Sequence, residues 1–269
     1  MSGTPTPHSL GKIVRGFERG RRPTIKPRIA RVLGVFSCKG GVGKTTTVAN
    51  IGSLLADKLG EGVLVVEANL SAPNLGLHLG LVDPEPTIHD VLVGAVPVEK
   101  AIHVVEKIHV IPGSLGYEGD IPLIDFKESI EPLRSKYRLI IIDSAPGLGT
   151  EAISAIKASN MMLIVTNPEI PTIASTLRAF RAAERYRVPV LGAVLNKVSG
   201  KKYEVPISEV KKSLGWPILS TVPEDDKVRE SLTAGTPVVK YAPKSSAARA
   251  FSELAERIHE KLFGELSQS

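Results

Sequence analysis

Cysteine, tryptophan and glutamine are nearly missing from this chain of 269 residues: Cys38, Trp216 and Gln268 each stand alone, and aromatic residues make up 4%. A single thiol excludes an internal disulfide and any multi-cysteine zinc or iron–sulfur centre held within one chain. No stretch of 18 or more uncharged apolar residues occurs, so no segment reads as a membrane span. The N-terminus has no apolar core of the secretory type, and a cytoplasmic protein is the expectation.

What is present is a chain that is 42% hydrophobic and 23% charged, apolar enough to offset its ordering entropy by burial. The net charge of +6 is unevenly placed. Residues 1–31 hold eight bases (Lys12, Arg15, Arg19, Arg21, Arg22, Lys26, Arg28, Arg31) against Glu18, net +7. The other 26 bases meet 27 acids, net −1. The basic excess therefore belongs to an N-terminal segment, 1–29, set apart from a body over 30–264 and a short acidic tail, 265–269.

In the body, short apolar runs alternate with helical patterns, the signature of β-α-β units around a parallel sheet. Val32–Ser37, Gly62–Glu67, Leu139–Asp143, Met161–Thr166, Val190–Leu195 and Pro217–Thr221 read as strands. Leu139 to Ile142 are apolar at successive positions, so helices should cover both faces of one twisted α/β sheet. The expected helices are Lys44–Leu59, Thr150–Ala158, Pro171–Tyr186, Pro206–Leu214, Asp225–Ala234 and Lys244–Phe263. In the last, Ala247, Phe251, Leu254, Ile258 and Leu262 recur at helical spacing and read as core, a stripe that Phe263 and Leu266 extend.

Lys39-Gly40-Gly41-Val42-Gly43-Lys44-Thr45-Thr46 directly follows the first strand and opens the first long helix. That placement suits a phosphate cradle. Glycines let backbone N–H groups approach the phosphates, the helix N-terminus adds positive potential, Lys44 reaches the β and γ oxygens, and Thr45 can ligate Mg²⁺. Asp143, at a strand's C-terminal end, is placed to hold the same ion through water. The general loop pattern has glycine where this chain has Cys38, and it lacks Lys39.

Lys39 together with Lys44 resembles the deviant phosphate loop of the MinD/ParA family of ATPases. The likeness continues through Glu67 to Gly76 (switch I in the family), Asp143 to Gly149 (switch II), and the stretches Leu163 to Glu169, Leu195-Asn196-Lys197, Val222-Pro223-Glu224-Asp225 and Gly235 to Val239. It spans Val32 to Phe263. The resemblance implies a P-loop NTPase fold, ATP and Mg²⁺ as ligands, Asn196, Pro223 and Glu224 near the base, and a dimer formed on ATP. Lys39 would then cross to the partner's phosphates, and hydrolysis would depend on that crossing. Asn196-Lys197-Val198-Ser199 lacks the acid with which GTP readers pair guanine, which favours adenine. For Asn196 itself, a contact to the adenine edge and a turn after a strand are both open.

One departure bears on rate. Family members usually begin switch I with Asp-x-Asp, the second Asp holding the attacking water, and here Glu67 and Asn69 stand there. An amide cannot take up a proton, and a positioned base contributes about 10²–10⁴. Phosphoryl transfer leans more on positioning, so slow hydrolysis at an Asn69-held water is the expectation, with Glu67 as a partial substitute.

In the N-terminal segment, Leu10, Ile13, Val14 and Phe17 fall at helical spacing among Lys12, Arg15 and Arg19. Residues 9–22 read as a basic amphipathic stretch for an anionic membrane surface, a docking arm for protein or, less favoured, nucleic acid, or a solvated tail. Family members carry their membrane helix at the other end. A spatial-organisation ATPase with an unnamed regulator is the leading reading, and a nucleotide-binding switch with little or no hydrolysis, because of Asn69, is the alternative; a DNA-partitioning ATPase would need a basic body, and an iron–sulfur carrier more cysteines.

Overall fold

The computed structural model describes residues 29–119, 121 and 125–264. Eight strands, β1 (Arg31–Phe36), β2 (Val63–Ala68), β3 (His103–Val105), β4 (Ile108–Ile111), β5 (Leu139–Ser144), β6 (Met161–Thr166), β7 (Val190–Val198) and β8 (Ile218–Pro223), form one sheet in the order β3-β4-β2-β5-β1-β6-β7-β8. Every pairing is parallel except β3 with β4.

Both faces are covered, as the uninterrupted apolar strands require. Within β5, Leu139 and Ile141 join one buried cluster with Val48, Ile51 and Leu55 of α1 (Lys44–Leu59), while Ile140 and Ile142 join a second with Ile88, Ile130 and Ile156. Four short helices follow α1: α2 (Leu75–His78), α3 (Ile88–Leu92), α4 (Phe126–Ile130) and α5 (Thr150–Ala158). The remaining helices are α6 (Ile170–Tyr186), α7 (Ile207–Leu214), α8 (Asp226–Thr233), α9 (Val238–Tyr241) and α10 (Ser246–Phe263).

The expected helices are all present, with ends moved by their caps. Asp225 and Ser245 lie just outside α8 and α10 as N-caps, their side chains accepting from the Lys227 and Ala248 N–H groups. The hairpin β3–β4 has no counterpart among the expected strands, being short and joined through Glu106 at φ 52°. The β7 strand runs on to Val198, so Asn196 lies inside a strand and the turn reading of that residue is corrected.

The stripe on α10 is core, with Phe251, Leu254, Ile258 and Leu262 all buried. At its end the guanidinium carbons of Arg31, which opens β1, and Arg138, which precedes β5, stand 5.4 and 5.5 Å from the Phe263 ring centre. The start of β1 and the end of α10 thus meet at the N-terminal edge of the parallel strands. Leu266, the tail and residues 1–28, including the basic stretch 9–22, lie outside the described residues.

Candidate nucleotide site

At the opposite, carboxyl edge of the strands, register brings Val35, Asp143 and Glu67 into line across β1, β5 and β2. The chain leaves β1 through Ser37 and turns into α1 at Gly43, which has φ 96°. A Cβ on Gly43 would stand 2.2 Å from Nδ2 of Asn196, so glycine alone fits there. The same Nδ2 donates to the Val42 carbonyl at 2.7 Å, and Lys197 Nζ donates to the Gly41 carbonyl at 2.7 Å. From switch II, the Gly147 N–H reaches the Ser37 carbonyl at 2.9 Å. The loop is thereby held from β7 on one side and from the segment after β5 on the other, and α1 begins with no side-chain cap on its first N–H groups. Uncapped N–H groups at a helix start are an anion site.

A cleft of about 300 Å³ opens over this loop. Among the residues expected to bind nucleotide, metal or the attacking water, Gly40, Gly41, Gly43, Lys44, Thr45, Thr46, Asn69, Asn196, Pro223 and Glu224 line it. Lys39, Val42 and Asp143 do not. Val42 is buried in the core and turns its carbonyl to Asn196. Asn74, His78 and Pro146 line the cleft without having been singled out, as do Lys197, Asp225, Val228, Arg229 and Leu232. Lys197 and Asp225 sat within the motifs already quoted, whereas His78 gave no signal.

Beneath the loop, the Thr45 hydroxyl donates to Oδ2 of Asp143 at 2.5 Å, and Oδ1 of Asp143 is buried without a partner. Burial raises the proton affinity of Asp143, opposed by the Lys44 ammonium and the Thr45 bond. An orphaned carboxylate oxygen beside a hydroxyl under an anion cradle fits Mg²⁺, which draws its other oxygens from phosphate and water. Among the described residues there is no group of three or more His, Cys, Asp and Glu that could hold a metal ion.

Glu67 is no substitute for a water-holding carboxylate. It is fully buried, outside the cleft lining, and its oxygens accept from three backbone N–H groups: Asn69 at 3.1 Å, Asn74 at 2.8 Å and Leu75 at 2.9 Å. It clamps the switch I loop from below. Burial first, then the negative charge of Asp143, push its pKa up to about 8 against the pull of those three bonds. Asn69 does reach the cleft, its Nδ2 donating to the Ala72 carbonyl at 2.6 Å. Further along, Glu151 at the start of α5 accepts from the Leu70 N–H at 3.1 Å and from the Ser71 hydroxyl. Switch I is thus tied to the helix that follows switch II.

Lys39 points away from its own phosphate loop. Its Nζ lies 2.9 Å from Oε2 of Glu169 and 3.2 Å from Oγ1 of Thr172, with about half of each charged side chain exposed. Among the described residues, no helix is long and apolar enough to cross a membrane.

Comparison with known proteins bears on the fold. Residues 30–179 match a family model described as an AAA domain, and residues 134–259 match ParA, described as a NUBPL iron-transfer P-loop NTPase. An uncharacterized ATP-binding protein of Methanocaldococcus jannaschii is 33% identical over 233 residues, 86% of this chain and 88% of its own. The cell division ATPase MinD of Pyrococcus furiosus superposes with a TM-score of 0.83 at 36% identity, covering 87% of this chain and all of that one. The septum site-determining protein MinD of Pyrococcus horikoshii, complexed with Mg-ADP, gives 0.83 at 33% identity over 87% and 97% of the two chains.

Proposed function

Because the chain belongs to the MinD/ParA family of P-loop ATPases, we propose that it is an ATP-driven switch that dimerises on ATP and positions a partner protein in the cell, at the division site or elsewhere. The observation that carries this reading is the Thr45–Asp143 pair beneath the uncapped start of α1. Gly40, Gly41, Gly43 and the first N–H groups of α1 receive the phosphates, and Lys44, almost fully buried, sets its charge against them. Thr45 and, through water, Asp143 would hold Mg²⁺, whose contribution when bound is to neutralise the charge of the phosphoryl oxygens. Asn69 holds the attacking water by position alone, which keeps the reaction slow.

Lys39 supplies the group in trans. Its bond to Glu169 is half exposed, and such a pair contributes only about 0–1 kcal/mol, so a partner's phosphates can recruit the lysine at small cost. Asn196, Pro223 and Glu224 stand where the base would lie. The stretch Asn196-Lys197-Val198-Ser199 lacks the acid with which GTP readers pair guanine, which supports adenine. The iron transfer named in the second family model asks for thiol ligands, and Cys38 has no companion.

Solution mass measured with ATP and Mg²⁺, with ADP, and without nucleotide, alongside phosphate release, tests the proposal. A dimer with ATP alone, with slow release, supports it. A persistent ATP dimer without release makes Asn69 the mark of a binding switch, and a mass indifferent to nucleotide overturns the dimer mechanism. The basic stretch 9–22 is proposed to add a peripheral contact with an anionic membrane. Pelleting with anionic vesicles should be lost when residues 1–28 are removed; equal pelleting of both forms would remove that element.

A further inference from the structure

His78 closes α2, the short helix that continues the switch I loop, and it lines the nucleotide cleft. Its Nδ1 lies 3.0 Å from the Asn74 carbonyl and its Nε2 3.3 Å from Oγ1 of Thr46 in the first turn of α1. A carbonyl cannot donate, so Nδ1 carries the hydrogen. In the neutral ring Nε2 is then an acceptor, and the Thr46 hydroxyl gives it its only proton. Beside this bridge, Asn74 lines the same cleft, and its Oδ1 is buried without a hydrogen-bond partner.

We propose that His78 is a nucleotide-responsive positioning residue: its imidazole and a phosphate of the bound nucleotide compete for the one hydroxyl proton of Thr46, and the result passes to the Asn74 carbonyl at the end of switch I. This rests on the cleft being a nucleotide site. A phosphate oxygen only accepts, so a nucleotide beside the first turn of α1 draws the Thr46 hydroxyl toward itself. Nε2 of the half-buried ring would then lose its donor, a loss that proton uptake by the ring offsets. The doubly protonated ring donates from both nitrogens, to Asn74 on one side and to Thr46 or phosphate on the other.

The empty site favours the neutral ring. Burial lowers the His78 pKa, the Asn74 carbonyl opposes that, and no charged side chain is among the causes. The other ionisable groups in the cleft are Lys44 on α1, Lys197 on β7, and Glu224, Asp225 and Arg229 at the β8–α8 junction. Glu67 lies behind the loop, bonded to the Asn74 and Leu75 N–H groups. The incoming phosphate is therefore the new charge to which His78 responds.

The test is calorimetry of ADP binding in EDTA, which leaves the Thr45–Asp143 pair out of play, in two buffers of different ionisation enthalpy. Wild type should take up a fraction of a proton that His78→Gln does not. Its affinity should fall about three- to tenfold more than the variant's from pH 6 to 8, because a group protonated on binding weakens binding as pH rises. Hydrogen exchange of residues 69–75 should respond to ADP in wild type and much less in His78→Gln. Equal proton uptake and equal loop response would overturn the inference. Should the variant fail to fold, imidazole ¹⁵N shifts of wild type decide instead: a His78 ring still singly protonated with ADP bound overturns it. No ADP heat in folded wild type would sink the nucleotide reading itself.

Discussion

Glu67 of β2 and Asp143 of β5 occupy the same register position on adjacent parallel strands, two buried carboxyl groups side by side. Glu67 is the one pushed further up, because the charge of Asp143 adds to its burial.

That pair sets a pH dependence. Glu67 has an ordinary value of 4.5 and a folded value of about 8, so between them the folded chain binds the extra proton. Stability in EDTA therefore declines as pH rises from 7 to 8, by at most about 1.4 kcal/mol per unit, and levels off above. His78 and His89 are both lowered and largely uncharged in that window. Urea melts at pH 7 and 8 measure the slope, which Glu67→Gln should abolish. The same variant turns one side-chain acceptor of a backbone N–H into an NH2 group and should cost about 1–3 kcal/mol at pH 7.

The phosphate loop could be read from the sequence because its chemistry is local: Gly43, Lys44 and Thr45 are adjacent, and a strand and a helix flank them. The central strands could be read because Leu139 to Ile142 admit no one-sided sheet. The role of Glu67 could not, since its partners are three backbone N–H groups that converge only once the loop folds over it. The Lys39–Glu169 pair joins residues 130 apart, and the Asn196–Val42 bond 154 apart. Spacing along the chain carries no trace of such pairs. The hairpin of His103–Val105 and Ile108–Ile111 escaped for another reason, having too few residues to show a period.

Gly43→Ala should abolish tight nucleotide binding. A Cβ at φ 96° is strained by about 1–2 kcal/mol, and it would displace the Asn196 amide from the loop. An affinity loss beyond tenfold, by calorimetry or fluorescent nucleotide titration, is expected with the rest of the fold retained.

Asn69→Asp places a carboxylate in the cleft and should raise phosphate release at least tenfold, toward the 10²–10⁴ range of a positioned base. An Asp cannot donate to the Ala72 carbonyl, so a loss of about 1 kcal/mol in stability should accompany the gain. Unchanged release would mean that water placement is not the slow step.

Lys39→Ala should leave the melting temperature and ADP affinity nearly unchanged, since among the described residues its side chain bonds only to the half-exposed Glu169 carboxylate and the Thr172 hydroxyl. Phosphate release should fall by about 10³ or more, the order supplied by a cation in trans to a transferring phosphoryl group. Single-turnover assays at concentrations that favour the dimer provide the comparison.

The meeting of Arg31, Arg138 and Phe263 gives the molecule two poles. Cargo fused after residue 264 departs from the pole remote from the cleft. A fluorescent protein attached there can follow the protein in living cells without standing over the cleft. The same geometry provides a handle for orienting the protein on a sensor chip with its reacting side toward solution.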